Sequence, residues 1–372
     1  MARLKVFVFD PMVAGVTSVH PAPQSIRLQG EMVRQALLAD LGSLPGVELV
    51  TLDETAPASG AATGTPGCLD VEPGTDEGDA TPAQTPAALG CNPQTGGPPA
   101  ACHAEGAALT GHAFGAQFTA GMRAADAVWP LARESDGLLA RVSRDVLRGK
   151  RILLGSAPGA VEVAASKLKL ARVLAAGGVA AVATYSPHAP LPHDSGAWVV
   201  KPDDGAGCRD TRLFKDRALA LAWIRAKATD GYVLQPFVGG KLGSLSLLCC
   251  DGVARVLACN QERVAMRDNR FYFLGSIVNG LADDDGALAR LAQQVAAAIP
   301  TLWGHVGVDF VLGTNGAMVL DVNPRLTAAY AGLHASIGCN PAGLVLDLLN
   351  GPDVMQARAP TRRVVSVDLG PS

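Results

Sequence analysis

The sequence VLDVNPRLT, residues 319–327, ends an apolar stretch with three polar side chains. Asp321, Asn323 and Arg325 follow one another at intervals of two residues, and side chains at that spacing on a β-strand point to the same face. The apolar residues 317–320 that precede them are typical of a buried strand. We therefore expect an acid, an amide and a guanidinium to converge where this strand ends.

A second strand is predicted immediately upstream, over residues 304–312, with the turn sequence GTNGA between the two. Asn-Gly between apolar runs is a strong signal for a β-hairpin. Folding back at this turn brings Asp309 on the first strand close to Asp321 and Asn323 on the second. Carboxylate and amide oxygens are the ligands that hard divalent cations prefer, so the hairpin predicts a Mg²⁺ site that also holds substrate phosphates. A competing interpretation, that the aspartates only cap loops at strand ends, is preferred for one aspartate alone but not for the set.

Two other segments carry groups that suit a nucleotide. In WVVKPDDGAGCRD, residues 198–210, Lys201 ends an apolar strand and opens a turn containing Gly205 and Gly207. Glycines let backbone N–H groups approach a phosphate closely, and the lysine adds a positive charge. The spacing is not that of a P-loop. Lys167, directly after a helix-capping Ser166, is a second candidate cation, although an exposed helix lysine is the plainer interpretation.

The segment VLQPFVGG, residues 233–240, is a strand that breaks at a proline and a glycine pair. Such a hinge exposes backbone N–H and C=O groups that could bind an adenine edge. The simpler interpretation is an ordinary strand exit.

Composition excludes several classes of protein. The chain has 372 residues, which is too long for one ordinary core, and 48% of them are hydrophobic. Its net charge is −3, from 31 basic and 34 acidic residues. The chain therefore lacks the excess of positive charge that favours binding to nucleic acid or to an anionic membrane. The short apolar start is broken by Asp10 and Pro11 and predicts a strand rather than a signal peptide, so we expect a cytoplasmic protein without membrane spans.

The chain falls into regions that differ in composition and in hydrophobic pattern. Residues 1–54 and 111–160 alternate strand and helix patterns and predict an α/β domain with a parallel sheet. Residues 55–110 are rich in Ala, Gly, Pro and Thr, and we expect a disordered or loosely packed insertion there. The strands that follow come in adjacent runs with glycine turns, which is typical of an antiparallel or mixed sheet in an α+β region.

These segments, in this order, resemble the ATP-grasp superfamily of carboxylate–amine ligases over about residues 153–333. The most specific part of the resemblance is DVNPRLT. Together with ADAVWPLARESDGLL at residues 125–139, this motif is most similar to the branch of the superfamily that contains tyramine–glutamate ligases. Those enzymes act in making methanofuran-type one-carbon carriers. The resemblance implies an N-terminal parallel-sheet α/β domain followed by two α+β lobes that clasp ATP. The small lobe, or lid, would be residues 161–240, the large lobe with the metal site residues 241–350, and the C-terminal strand and tail residues 351–372.

The resemblance also implies roles for individual residues. The nucleotide would be held by Lys167, Lys201, Gly205, Gly207, Gln235, Phe237 and Val238. Asp309, Asp321 and Asn323 would ligate two Mg²⁺ or Mn²⁺ ions, and Lys201 and Arg325 would act in catalysis, with Arg325 facing the transferred γ-phosphoryl group. The family usually has Glu in place of Asp321, and no acid follows the hinge to hold the ribose, so Ser244 or Ser246 would have to do so.

The implied activity is ATP- and Mg²⁺-dependent amide formation through an acyl-phosphate. The partners would be small-molecule carboxylates and amines, with tyramine and glutamate one such pair, and a homodimer is compatible with the resemblance. Two alternatives stay open: another amino-acid or dipeptide ligase of the same superfamily, and a non-catalytic ATP-binding module. Glu134, Ser135 and Asp136 are candidates for substrate contacts.

Overall fold

A computed structural model describes residues 3–13, 24–50, 112–192, 196–205, 207–227, 231–356 and 361–369. The predicted insertion at residues 55–110 lies outside these ranges. Among the helices that the structure describes, none combines the length and the apolar character needed to span a bilayer.

The N-terminal region forms the predicted parallel sheet, with strand order β2-β1-β3-β4. Its elements in chain order are β1 (Leu4–Phe9), α1 (Gln24–Gly42), β2 (Val47–Val50), α2 (His112–Ala124), β3 (Ala127–Pro130), α3 (Leu138–Arg148) and β4 (Ile152–Leu153). All four residues of β3 are buried, as expected for a strand between two neighbours in a parallel sheet.

The remaining strands form a second, antiparallel sheet in the order β12-β11-β8-β9-β10-β6-β5-β7, with β13 paired to β10. Its strands are β5 (Trp198–Pro202), β6 (Arg212–Phe214), β7 (Tyr232–Pro236), β8 (Lys241–Cys250), β9 (Val253–Arg267), β10 (Arg270–Val278), β11 (Gly304–Gly313), β12 (Gly316–Asn323) and β13 (Val365–Asp368). Its helices are α4 (Pro158–Ala165), α5 (Lys167–Ala176), α6 (Arg217–Lys227), α7 (Ala287–Ala298), α8 (Tyr330–Ile337) and α9 (Pro341–Asp347). The α/β plus α+β fold class is thus confirmed.

One hydrophobic core joins the two sheets. Val6 of β1, Leu37 of α1 and Trp129 of β3 belong to the same buried cluster as Leu333 and Ile337 of α8. Hydrophobic burial of this kind stabilises by about 25 cal/mol per Å² of apolar surface. The N-terminal region and the large sheet are therefore packed as one body, which fixes the residues after β3 against the end of β12.

Helix α5 places a lysine at its first residue through a serine cap. The Ser166 hydroxyl accepts from Lys169 N (3.2 Å) and donates to Asp203 Oδ2 (2.7 Å), while Asp203 Oδ1 accepts from Leu168 N (2.9 Å). The predicted capping role of Ser166 is confirmed. The same contacts tie the start of α5 to the loop that follows β5.

We expect Ser166→Ala to lower the free energy of unfolding by about 1 kcal/mol, because two N–H groups at the start of α5 depend on this hydroxyl and on the aspartate that it positions. Urea unfolding measures the change. Ser166→Thr keeps the hydroxyl and should retain most of the stability. Equal midpoints for wild type and Ser166→Ala would contradict the capping role.

Candidate active site

A cleft of about 250 Å³ lies where the second sheet faces the N-terminal region. Apart from the two serines considered for the ribose, the residues that the sequence singled out for nucleotide, metal or catalysis all line it: Lys167, Lys201, Gly205, Gly207, Gln235, Phe237, Val238, Asp309, Asp321, Asn323 and Arg325. They come from α5, β5 and its following loop, β7 and its exit, and the hairpin β11–β12. The fold thus brings together residues that are far apart in the chain.

The predicted hairpin is present, and its register sets the acidic end of the cleft. Asp309 on β11 lies directly opposite Asp321 on β12, and Asn323 Nδ2 donates to Asp309 Oδ2 at 3.1 Å. Burial raises the pKa of Asp309 to about 7, and the negative charges of Glu262 and Asp321 add to the increase. Several carboxylates therefore lie close enough to repel one another at this end of the cleft.

Glu262 on β9 belongs to this acidic group, and sequence reasoning missed it. Its Oε1 accepts from Ser276 Oγ at 3.0 Å and also from Ser244 Oγ, and burial raises its pKa. The signal was a polar alternation in β9: Asn260 and Glu262 share one face of a strand that is otherwise mostly apolar. A carboxylate so deep in a sheet needs such partners.

The serines expected to hold a ribose differ in position. Ser246 is fully buried and accepts from Asn260 Nδ2 (3.1 Å), away from the cleft. The expectation that Ser246 contacts a nucleotide is therefore wrong, because Ser246 lies two residues further along β8, where its side chain is covered. Ser244 does line the cleft, but it is already bound to Glu262 and Asn260.

Two lysines face the hairpin acids. Lys201 is 9% exposed, and its Nζ lies 3.4 Å from the backbone oxygen of Leu320. Burial lowers the pKa of Lys201 to about 8, although the charge of Asp321 opposes the decrease. Lys167 is 6% exposed and its Nζ contacts Gly205 O (2.6 Å), Asp203 O (3.3 Å) and Asp321 Oδ2 (3.4 Å).

Two N–H donors of the Lys167 ammonium are bonded to backbone oxygens of the loop after β5, and the ammonium also faces the Asp321 carboxylate. In that loop Gly207 has φ +67°, a conformation that a glycine adopts without strain.

The strand exit after β7 forms the opposite end of the cleft. Gln235 is buried and its Nε2 donates to Thr184 Oγ1 at 2.7 Å, so its amide helps to fix the hinge. Phe237 N donates to Ala197 O at 2.8 Å, which leaves this N–H unavailable to a nucleotide. Phe237 is 45% exposed, and it lines the cleft together with Val238.

Arg325 is held by a carboxylate from the N-terminal region. Its Nε and Nη2 donate to the two oxygens of Glu134 at 2.5 and 3.1 Å, and Nη2 also donates to Asn323 Oδ1 at 3.1 Å. Burial alone would raise the pKa of Glu134, but the charge and hydrogen bonds of Arg325 keep it below its ordinary value. Glu134 thus positions Arg325, and neither it nor Ser135 nor Asp136 lines the cleft. Planar two-point pairing of this kind fixes the guanidinium in one orientation.

Comparison of the sequence with known protein families identifies two matching regions. Residues 164–329 match the ATP-grasp domain family, and residues 89–161 match the pre ATP-grasp 3 domain family. Residues 164–329 therefore form an ATP-grasp domain. The acids, the two lysines and Arg325 all lie within the first match, whereas Glu134 lies in the second.

One curated relative of this ATP-grasp chain is the tyramine–L-glutamate ligase of Methanocaldococcus jannaschii, which is 26% identical over 107 residues. The alignment covers 29% of this chain and 33% of that enzyme, so it spans only about a third of the relative's length.

Solved structures agree on the fold of the ATP-grasp chain. An ATP-grasp superfamily protein from Archaeoglobus fulgidus has a TM-score of 0.62 at 19% identity, over 98% of this chain and 92% of that one. D-alanine–D-alanine ligase from Bacillus anthracis has a TM-score of 0.57 at 11% identity, over 94% and 96% of the two chains. L-amino acid ligase from Bacillus licheniformis has a TM-score of 0.52 at 19% identity, over 62% and 59%. At these identities the likeness concerns the fold.

Proposed function

We propose that this ATP-grasp chain is an ATP- and Mg²⁺-dependent ligase that joins a carboxylate to an amine. The observation that carries the proposal is the juxtaposition of the β11–β12 acids with Lys167, Lys201 and Arg325 in one cleft. A carboxylate does not react with an amine at neutral pH, because its oxygen is a very poor leaving group. ATP removes this obstacle when the carboxylate attacks the γ-phosphorus and ADP leaves; the amine then displaces phosphate from the acyl-phosphate.

The acidic end of the cleft fits a divalent metal. Asp309, Asp321 and Glu262 place like charges together, and their mutual repulsion is what a bound cation relieves. Asp309, Asp321 and Asn323 would hold two Mg²⁺ or Mn²⁺ ions through carboxylate and amide oxygens. When bound, these ions would screen the negative charge of the phosphates.

The chain's own groups then position the reactants. Lys201 and Lys167 supply positive charge to the phosphates, and the loop containing Gly205 and Gly207 offers backbone N–H groups to them. Arg325 donates through Nε and Nη2 to Glu134 and Asn323 and through Nη1 to Leu326 O. It would therefore offer the transferred group a fixed positive charge and its remaining Nη1 hydrogen, in an orientation that a lysine could not reproduce.

The loop after β5 also reaches across the cleft entrance and could exclude water. Asp204 Oδ2 accepts from Asp136 N at 2.8 Å, which links the lid to the N-terminal region. An acyl-phosphate is hydrolysed readily by water, so such a closure protects it.

For the substrates, we propose tyramine and glutamate in the synthesis of a methanofuran-type carrier, supported by the partial match to the Methanocaldococcus jannaschii enzyme. Ligation of two amino acids is the alternative, since the fold is shared with an L-amino acid ligase. A homodimer in the cytoplasm, where ATP is available, accords with either reaction.

The deciding experiment measures ADP release with ATP and Mg²⁺ against a matrix of acids and amines, beginning with L-glutamate and tyramine. ADP that forms only when an acid and an amine are both present, with the amide detected by mass spectrometry, supports the ligase. If the chain bound ATP tightly but released no ADP with any pair of acid and amine, the result would instead favour a non-catalytic ATP-binding module.

We expect the affinity for ATP to fall as pH rises through about 8. Because burial lowers the pKa of Lys201 to about 8, its ammonium is charged below that pH and neutral above it, so ATP binding above pH 8 must take up a proton. The dissociation constant should rise by up to about tenfold per pH unit, as measured by titration calorimetry between pH 7 and 9.5. Lys201→Arg stays charged throughout and should show a flat profile. A flat profile for the wild type would contradict the role of Lys201.

A further inference from the structure

Arg133 lines the cleft from the N-terminal region, next to the Glu134 that holds Arg325. It follows β3 closely, and its Nη2 donates to Gln29 Oε1 of α1 at 3.1 Å. The glycine loop of the lid passes over it: a side-chain carbon built on Gly207 would lie 3.8 Å from Arg133 Nη1. The guanidinium is thus enclosed by three separate elements of the fold.

The charge of Arg133 is left without a carboxylate. Both oxygens of Glu134 accept from Arg325, and within the described part of the chain Arg133 makes no ion pair. Burial lowers the pKa of Arg133 to about 10, and the positive charges of Arg325 and Arg209 lower it further than Glu134 restores it. A guanidinium has five N–H donors, and Gln29 uses one of them. The structure therefore offers a preformed cation with donors to spare.

Different charged groups act most strongly on Arg133 and on Lys201. The charged groups that act on it are Arg325, Glu134 and Arg209, whereas those that act on Lys201 are Asp321, Lys167 and Asp309. Arg325 interacts with both groups, since Asp309 and Asp321 also act on it. Arg133 and Arg325 line the same cleft, and Arg325 pairs with the residue next to Arg133 in the chain, so an anion at Arg133 would lie beside a group held at Arg325.

We propose that Arg133, supported by Gln29, is a specificity subsite for a second anionic group on the acid substrate. The acid would place its reacting carboxylate at Arg325 and its other carboxylate at Arg133, so the chain would favour dicarboxylic over monocarboxylic acids. The inference rests on the proposed function, because it assumes that Arg325 faces the reacting acid. Charge-assisted pairing of a guanidinium with a carboxylate is strong and directional.

The test compares acids of equal length that differ in one charge: succinate with butyrate, and glutarate with pentanoate. Titration calorimetry measures their binding to the full chain in the presence of Mg²⁺ and a non-hydrolysable ATP analogue. We expect the wild type to bind each dicarboxylate at least about tenfold more tightly than its partner. Arg133→Gln should abolish this preference and leave affinity for the ATP analogue unchanged. Arg133→Lys keeps the charge but not the fork, and should retain part of the preference.

Arg141, an exposed residue of α3 away from the cleft, provides the matched control. Arg141→Gln should bind all four acids as the wild type does, and circular dichroism checks that each variant is folded. Equal binding of mono- and dicarboxylates by the wild type, no binding of either, or an unchanged preference in Arg133→Gln would overturn the subsite. The ligase proposal would survive each of these results if ADP release still required an acid and an amine, and it would fall only if that requirement were absent.

Discussion

Asp321→Asn is expected to reduce Mg²⁺-dependent ADP release by at least about 100-fold, more than the loss of an outer partner of a metal ligand usually costs. The substitution keeps the size of the side chain but removes the charge that faces Lys167 at 3.4 Å and that would hold the metal. A coupled assay at saturating ATP over a range of Mg²⁺ concentrations measures the effect. High Mg²⁺ should rescue only part of the rate.

Asp309→Asn separates metal binding from folding. The wild-type carboxylate is buried beside Glu262 and Asp321, so its neutral replacement should leave the metal-free protein at least as stable as before. Added Mg²⁺ should raise the thermal midpoint of the wild type but not of Asp309→Asn, because a ligand stabilises only the state that binds it.

The exposed Asp284 provides the control, since Asp284→Asn should leave both activity and the Mg²⁺ response unchanged. If Asp309→Asn and Asp321→Asn both released ADP at the wild-type rate, the hairpin would not be the metal site.

Arg325→Lys is expected to reduce ligation by about 100- to 1,000-fold while changing the dissociation constant of ATP only slightly. The planar guanidinium is aimed by Glu134, and a lysine cannot form the same fork. Single-turnover formation of the amide, compared with ATP binding by calorimetry, separates the two effects. Near-normal turnover by Arg325→Lys would exclude Arg325 from the chemistry.

The same pair predicts a stability effect. Arg325→Met leaves the buried Glu134 carboxylate without its cation and should lower the free energy of unfolding by about 3–5 kcal/mol. Adding Glu134→Gln should recover much of that loss without restoring ligation, because the buried charge is then gone but the guanidinium is still missing. Equal losses in the single and double variants would show that the pair is not coupled.

The sequence predicted the hairpin and its acids because the signal is local. One short segment contains the period of two residues, the turn sequence and the spacing of Asp309 and Asp321. The observed register places these two residues opposite each other. The partners that cross the fold were harder to predict. Glu134 and Arg325 are 191 positions apart, and no periodicity relates them.

Helix α8 shows a second reason why an element could not be predicted from the sequence. It was not predicted, because its sequence YAGLHASI is apolar around most of its circumference and has no amphipathic period. The structure explains this pattern, since α8 packs among α1, β9 and β13. Glu262 was missed because it lies among polar residues in the second half of β9, where the apolar pattern typical of a strand has ended.

The ion pair between Glu134 and Arg325 has a consequence for how such chains can be recombined. Its carboxylate lies in the segment matched over residues 89–161, and its guanidinium in the segment matched over residues 164–329. A chimera that takes either segment from a relative would inherit half of a buried pair unless the donor supplies an acid or an arginine at the corresponding place. The boundary between the two matched families is therefore a poor crossover point, and viable exchanges should carry both halves together.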